Sequence, residues 1–239
     1  AWFHFEDMIV ALGSDITSSH AYDVFTTVEQ NLLSGSVTVD GSVLNTGVHS
    51  LTNAGWVHHN NIGYLFPDDW SGAVSLQSQS GSWKRINDSK SDTLISKDVF
   101  KLSIAHGNQP TSDDYAYIIL PNASLSETQN AAQSPGIDIL VNNETQQAVY
   151  HQNTQTTGIV FYQPGSMTLP GGETISVTHS SVVLIDQSLA TPTIMLATPG
   201  SGGMEINVCW TDANGLTQKT PVTMPGSAAE LGRSQSVTF

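Results

Sequence analysis

The chain has 239 residues, enough for one large β domain or two ordinary ones with packed cores, so size alone demands no disulfide or metal staple. Only 12% of the residues are charged, while serine and threonine make up about a fifth, leaving a surface of hydroxyls and amides rather than ions. Seven Lys and Arg stand against 21 Asp and Glu, and the resulting net charge of −14 disfavours nucleic acid and anionic membrane surfaces as partners.

The chain opens without an initiator methionine on Ala1-Trp2-Phe3-His4-Phe5, already strand-like and with neither a charged leader nor an apolar signal core, so an upstream segment is expected to have been removed. No apolar run approaches the roughly 20 residues of a membrane span; Met8 to Leu12 and Tyr117 to Leu120 are soon interrupted by polar residues. Short β-rich runs then recur at 23–29, 36–39, 55–59, 62–66, 73–77, 99–104 and 115–120. Beyond them come 137–141, 146–151, 158–162, 175–178, 182–185, 193–197, 204–210 and 234–239. Asp40-Gly41, Pro170-Gly171-Gly172, Pro199-Gly200-Ser201-Gly202-Gly203 and Asn214-Gly215 supply the turns between them. Helical periodicity is weak throughout, the best candidate being a turn or two at 227–232. The expected class is all-β with antiparallel sheets.

A polar stretch with few apolar anchors, Pro121 to Pro135, separates two strand-rich halves. The division expected is therefore 1–121, a linker at 122–135, and a second domain at 136–239. Charge supports it: Lys84, Arg85, Lys90, Lys97 and Lys101 hold five of the seven basic residues, whereas 102–218 contain none.

Chemistry-bearing patterns are sparse. His58 and His59 are adjacent on a strand, so their side chains point to opposite faces and cannot share one ion; one is expected inside and the other at the surface. No HExxH or GxSxG motif occurs, and no metal or other cofactor is expected. Gly200-Ser201-Gly202-Gly203 lacks the Lys-Ser/Thr of a phosphate loop and reads as a flexible turn. Asp and Glu pairs at Glu6-Asp7, Asp68-Asp69 and Asp113-Asp114 read as solvated turn residues, and the acceptor triplets at Asn87, Asn122 and Asn143 are no more frequent than chance. Cys209, the single cysteine, occupies a strand position and reads as a buried structural thiol. Trp56, Trp70, Trp83 and Tyr64 could stack on sugar rings, although core packing is the simpler reading for each. Lys84 and Arg85, with Lys90 nearby, could attract an anionic polysaccharide against the prevailing negative field, or could simply protect an exposed edge strand.

Four segments carry a family resemblance. Trp2-Phe-His-Phe-Glu-Asp-Met-Ile-Val-Ala-Leu-Gly-Ser14 with Thr26-Thr-Val-Glu-Gln30, Trp56-Val-His-His-Asn-Asn-Ile-Gly-Tyr-Leu-Phe-Pro67, and His106-Gly-Asn-Gln-Pro110 with Tyr115-Ala-Tyr-Ile-Ile-Leu-Pro-Asn122 stand in matching order, followed by Ile137-Asp-Ile-Leu-Val-Asn-Asn143 and Gln147-Ala-Val149. Together they resemble polysaccharide lyase family 8, the hyaluronate, chondroitin and xanthan lyases. The resemblance implies a galactose-mutarotase-like antiparallel β-supersandwich to about residue 121 and then a smaller β-sandwich. It implies β-elimination on uronic-acid-containing polysaccharides, with an Asn neutralising the carboxylate, a His and a Tyr moving protons, and an Arg holding the site. Those residues belong to an N-terminal α/α toroid, and none maps onto this chain, so no catalytic residue is assigned here.

The expected role is the C-terminal β portion of such a lyase, inactive alone and partnered with its toroid-bearing N-terminal portion. Trp2, Phe3 and Phe5 would then lack the strands that precede them. Acidic polysaccharide is the implied substrate, and a secreted or periplasmic bacterial location is implied as well. The competing reading is a stand-alone carbohydrate-binding or structural β module.

Overall fold

A computed structural model describes residues 1–189, 191–198 and 202–239. Pro199, Gly200 and Ser201, from the glycine-rich turn, lie outside the described residues. The strands of the first half are β1 (Trp2–His4), β2 (Ile9–Ile16), β3 (Asp23–Leu32), β4 (Val37–Val39), β5 (Ser42–Val43), β6 (Gly47–Thr52), β7 (Trp56–His59), β8 (Ile62–Leu65), β9 (Ser71–Gly81), β10 (Ile95–Asn108) and β11 (Asp113–Pro121). Helix α1 (Leu125–Gln133) follows, and then β12 (Ile137–Asn142), β13 (Gln146–His151), β14 (Thr156–Phe161), β15 (Gly165–Thr168), β16 (Thr174–Val177), β17 (Ser181–Asp186), β18 (Thr193–Ala197), β19 (Glu205–Thr211), β20 (Thr217–Thr223) and β21 (Gln235–Val237). The all-β class and its antiparallel pairing hold.

Contacts divide the chain into two compact units: one of 6–11 and 15–133, the other of 1–5, 12–14 and 134–239. In the first, strands run in the order β2-β11-β8-β7-β4-β5 in one sheet and β3-β10-β9-β6 in another. Its core forms because alternate residues of each strand share a face. Val74, Leu76, Phe100, Leu102 and Ile104 from one sheet are buried with Val37, Val57, Tyr64, Phe66 and Tyr117 from the other. In the second unit the orders are β12-β13-β14-β17-β18-β21 and β15-β16-β19-β20. Ile159, Phe161, Val183, Ile185, Ile194 and Leu196 meet Ile175, Ile206, Val208 and Trp210 in its core.

The opening strand departs from expectation. Phe3 is buried, and its ring lies so close over Gly158 that a Cβ there would come within 2.7 Å of it. Phe5 stacks on His151 with ring centroids 4.9 Å apart. Of the three aromatics expected to be uncovered, only Trp2 is exposed. The C-terminal unit supplies the partners, because β1 belongs to it by contact although it stands first in sequence.

The stretch read as a linker is also ordered. Ser124 and Glu127 form a reciprocal cap: the Glu127 N–H donates to Ser124 Oγ at 3.2 Å, and the Ser124 N–H donates to Glu127 Oε2 at 2.7 Å. That arrangement satisfies two donors at the start of α1, and Ser-x-x-Glu is its sequence mark. One side chain anchors the helix, the fully buried Thr128. It sits over Gly63 of β8, where a Cβ would lie 2.5 Å from Thr128 Oγ1. By contrast, 227–232 forms turns, with Glu230 N–H donating to the Ser227 carbonyl and Arg233 N–H to that of Glu230.

Cys209 is half-buried rather than interior. On β19 the buried positions are Ile206, Val208 and Trp210, so alternation puts the thiol on the opposite face.

Candidate functional site

The two basic residues singled out in the sequence lie at the end of a projecting hairpin. β10 pairs with β9 from Ile95↔Gly81 to Ile104↔Gly72, but β3 joins β10 only from Val99 onward and β6 joins β9 only up to Leu76. Residues 79–81 and 95–97 therefore form a two-stranded ribbon beyond the four-stranded part of the sheet. Its tip is a 3₁₀ turn, Trp83–Arg85. The tip is held by its own backbone: Lys84 N–H donates to the Ser91 carbonyl at 3.1 Å and Asn87 N–H to that of Trp83 at 2.9 Å. The Ser82 hydroxyl donates to Asp92 Oδ1 at 3.0 Å.

This ribbon, 79–97, carries four of the seven basic residues and only two of the 21 acidic ones. Lys84 approaches Asp92 at 3.9 Å in a solvent-exposed pair of small energetic worth. Arg85, Lys90 and Lys97 have no ion-pair partner among the described residues. Beside these cations stand exposed apolar groups: Trp83 is 59% accessible, and Ile86 and Leu94 more so. An indole flanked by cations can stack on a pyranose ring while neighbouring charges meet carboxylate or sulfate.

The same sheet has an outer face opposite the core. One cross-strand row reads Val48, Ser75, Lys101 and Gln30, and the next pairs Gln77 with Val99 and Leu32. A shallow groove of about 490 Å³ on this face is lined by Phe25, Gln30, Ser75, Gln79, Val99 and Lys101. Phe25, Leu32 and Val48 are each more than half exposed.

A third feature is acidic. A cavity of about 350 Å³ is lined by Asp68, Asp69, Asp113 and Asp114 together with Trp70 and His106. His106, buried on β10, spans the two sheets of its unit: Nδ1 meets Asp113 Oδ2 at 2.8 Å and Nε2 meets Thr26 Oγ1 at 2.8 Å. An ionised carboxylate only accepts, so His106 Nδ1–H is the donor to Asp113. Burial, then the charges of Asp113 and Asp68, push the Asp114 carboxyl up, against a smaller lowering by His106. The pairs Asp68-Asp69 and Asp113-Asp114 are therefore more than solvated turns, since folding brings them to one cavity. An acceptor-rich cavity of this kind repels a polyanion.

The remaining sequence candidates are structural. Trp56 and Tyr64 are core residues, the Tyr64 hydroxyl donating to Glu29 Oε2 at 3.1 Å. Trp70 stacks on Phe66 at 3.9 Å and donates its indole N–H to the Ala54 carbonyl at 2.7 Å. Only Trp83 of the four presents its ring to solvent. His59 is buried against Phe100, with ring centroids 4.4 Å apart, and accepts the Ser34 N–H at 3.1 Å. His58 does point the other way, but it is half-buried rather than at the surface, donating to the Ala123 carbonyl at 3.0 Å. Among the described residues, no three His, Cys, Asp or Glu side chains converge as a metal site.

Comparison with known proteins places these features in a family. A model of the polysaccharide lyase family 8 super-sandwich domain matches residues 1–132, and one of that family's C-terminal β-sandwich domain matches 138–207. The chain is 36% identical over 202 residues to a chondroitinase-AC of Pedobacter heparinus, covering 83% of this chain and 29% of that protein. It is 31% identical over 184 residues to a xanthan lyase of Bacillus sp. strain GL1, covering 70% of this chain and 20% of that protein. A solved chondroitinase AC lyase superposes with a TM-score of 0.92 at 31% identity, over 99% of this chain and 35% of that one. The chain thus spans less than a third of the curated relatives it matches. Both of its halves match successive domains of one family, and the chain belongs to polysaccharide lyase family 8.

Proposed function

We propose that the chain is the C-terminal β portion of a polysaccharide lyase that cleaves uronic-acid-containing polymers by β-elimination. In this reading the catalytic groups lie on an N-terminal helical toroid, and the β portion supports that toroid and the polymer entering it. The observation that carries the reading is the match to two successive family domains by a chain spanning only 29% of a chondroitinase-AC and 20% of a xanthan lyase. The outer face of the β3-β10-β9-β6 sheet supports a partner of this kind, because Phe25, Leu32 and Val48 leave apolar area open to water where a further layer would cover it. Polymers of this class are too large to enter a cell intact, which favours a secreted or periplasmic enzyme.

The test is turnover of hyaluronan, chondroitin and xanthan, followed by the absorbance of the unsaturated uronate product. The 239-residue chain alone is expected to be inactive, and the same chain joined to its N-terminal portion active. Robust turnover by the chain alone overturns the division of labour. Inactivity of the joined protein on every uronate polymer, with sugar binding retained by the chain, favours a binding module instead.

A further inference from the structure

We infer that the β9–β10 ribbon, residues 79–97, is a contact finger for the anionic polysaccharide. The inference rests on the lyase reading for its ligand class and on the ribbon itself for its location.

Consider the field a polyuronate meets. The chain carries a net charge of −14, and outside the ribbon the imbalance is larger still. A polyanion is repelled over most of that surface, most strongly at the cavity where Asp68, Asp69, Asp113 and Asp114 converge. Approach is favourable where positive charge is concentrated and uncompensated. Arg85, Lys90 and Lys97 meet both conditions, and they stand on an element that projects from its sheet.

The apolar residues beside them point to a sugar rather than a bare anion. A two-stranded ribbon in water is marginally stable by itself and gains nothing from an exposed indole. Yet Trp83 sits at the head of the 3₁₀ turn, immediately before Lys84 and Arg85, with 59% of its surface open. A pyranose presents an apolar C–H face to an aromatic ring and its carboxylate at the rim, so one indole with adjoining cations matches one uronate residue. The tip also has little ordering left to do on binding, because Ser82, Asn87 and Ser91 already tie it together through hydrogen bonds.

The experiment measures binding of the 239-residue chain to hyaluronan and chondroitin sulfate oligosaccharides at low salt, with neutral dextran as control. Binding to the charged polymers should weaken as salt rises, and dextran should not bind. The triple variant K84Q/R85Q/K90Q should lose at least about tenfold in affinity with a shallower salt dependence. Trp83→Ala should lose several-fold at unchanged salt dependence. Both variants should keep the wild-type melting temperature, because the ribbon lies outside the core. Wild-type affinity in both variants overturns the inference, as does equal binding of dextran or no binding of any charged oligosaccharide. Variants that bind polymer normally but no longer associate with the N-terminal portion also overturn it, and assign the finger to a protein contact. Failure of the lyase reading is seen separately, in the turnover of the joined wild-type protein.

Discussion

A neutral imidazole is built into the core of the N-terminal unit. His59 lies against Phe100 and accepts the Ser34 N–H, a bond that requires an unprotonated nitrogen. Burial lowers its pKa below the ordinary 6.5, the charge of His58 adding a smaller lowering and that of Glu29 opposing it. The unfolded chain takes up this proton near pH 6.5, and the folded chain only at lower pH. Stability conferred by the neutral form is thus full above that value, falls as pH drops below it, and levels off beneath the folded pKa. Urea midpoints measured on either side of pH 6.5 should show the loss in wild type and a smaller one in His59→Gln, whose amide oxygen can still accept. An equal acid-side loss in both would show that another group governs this range.

The pairing of α1 with β8 turns on a missing side chain. Gly63 leaves room for Thr128, and a Cβ there would overlap the threonine hydroxyl and methyl. Gly63→Ala should therefore destabilise by about 1 to 3 kcal/mol, as overpacking does. Thr128→Ala in the same chain should recover part of that loss, so the two changes should be strongly non-additive in a double-mutant cycle. Additive effects would show that the helix shifts to make room. Ser124→Ala, which removes the cap, should cost about 1 kcal/mol by itself.

These elements also show what could be read beforehand. Strand Thr193–Ala197, where the buried Ile194 and Leu196 alternate with more open neighbours, is legible with its limits correct, because a half-buried sheet imposes a period of two. Strand β20 is not legible: Thr-Gln-Lys-Thr-Pro-Val-Thr is polar and contains Pro221, which a ladder tolerates because β20 is the edge of its sheet. Helix α1 hides for a different reason. Its one buried residue is a threonine, so no apolar stripe marks it, and only the Ser124-Leu-Ser-Glu127 cap betrays it. Among the functional candidates, Lys84 and Arg85 can be picked out from charge segregation alone. The convergence of Asp68-Asp69 with Asp113-Asp114 cannot, since it depends on which strands become neighbours.

For the molecule as a whole, the open face of the β3-β10-β9-β6 sheet decides how the chain behaves in isolation. Burying a large apolar side chain contributes about 1.5 to 3 kcal/mol, so covering Phe25, Leu32 and Val48 together would be a sizeable fraction of a domain's net stability of about 5 to 15 kcal/mol. Joined to the N-terminal portion proposed for it, the chain should accordingly melt higher than it does alone. The double change Phe25→Ser, Leu32→Ser should improve solubility of the isolated chain and narrow that gap. Equal melting temperatures for the isolated and joined forms would mark the chain as autonomous.

The segregation of basic residues has a practical corollary for protease mapping. Trypsin cuts after Lys and Arg, and none occurs between 102 and 218, so that length of chain resists digestion whether folded or not. Five of the seven available bonds cluster at 84–101, on the ribbon and just behind it, with Lys219 and Arg233 near the other end. A timed tryptic digest is thereby a local footprint. Polymer seated on the ribbon would delay scission there while leaving the distal cuts unchanged, giving a site-resolved readout from two bands on a gel.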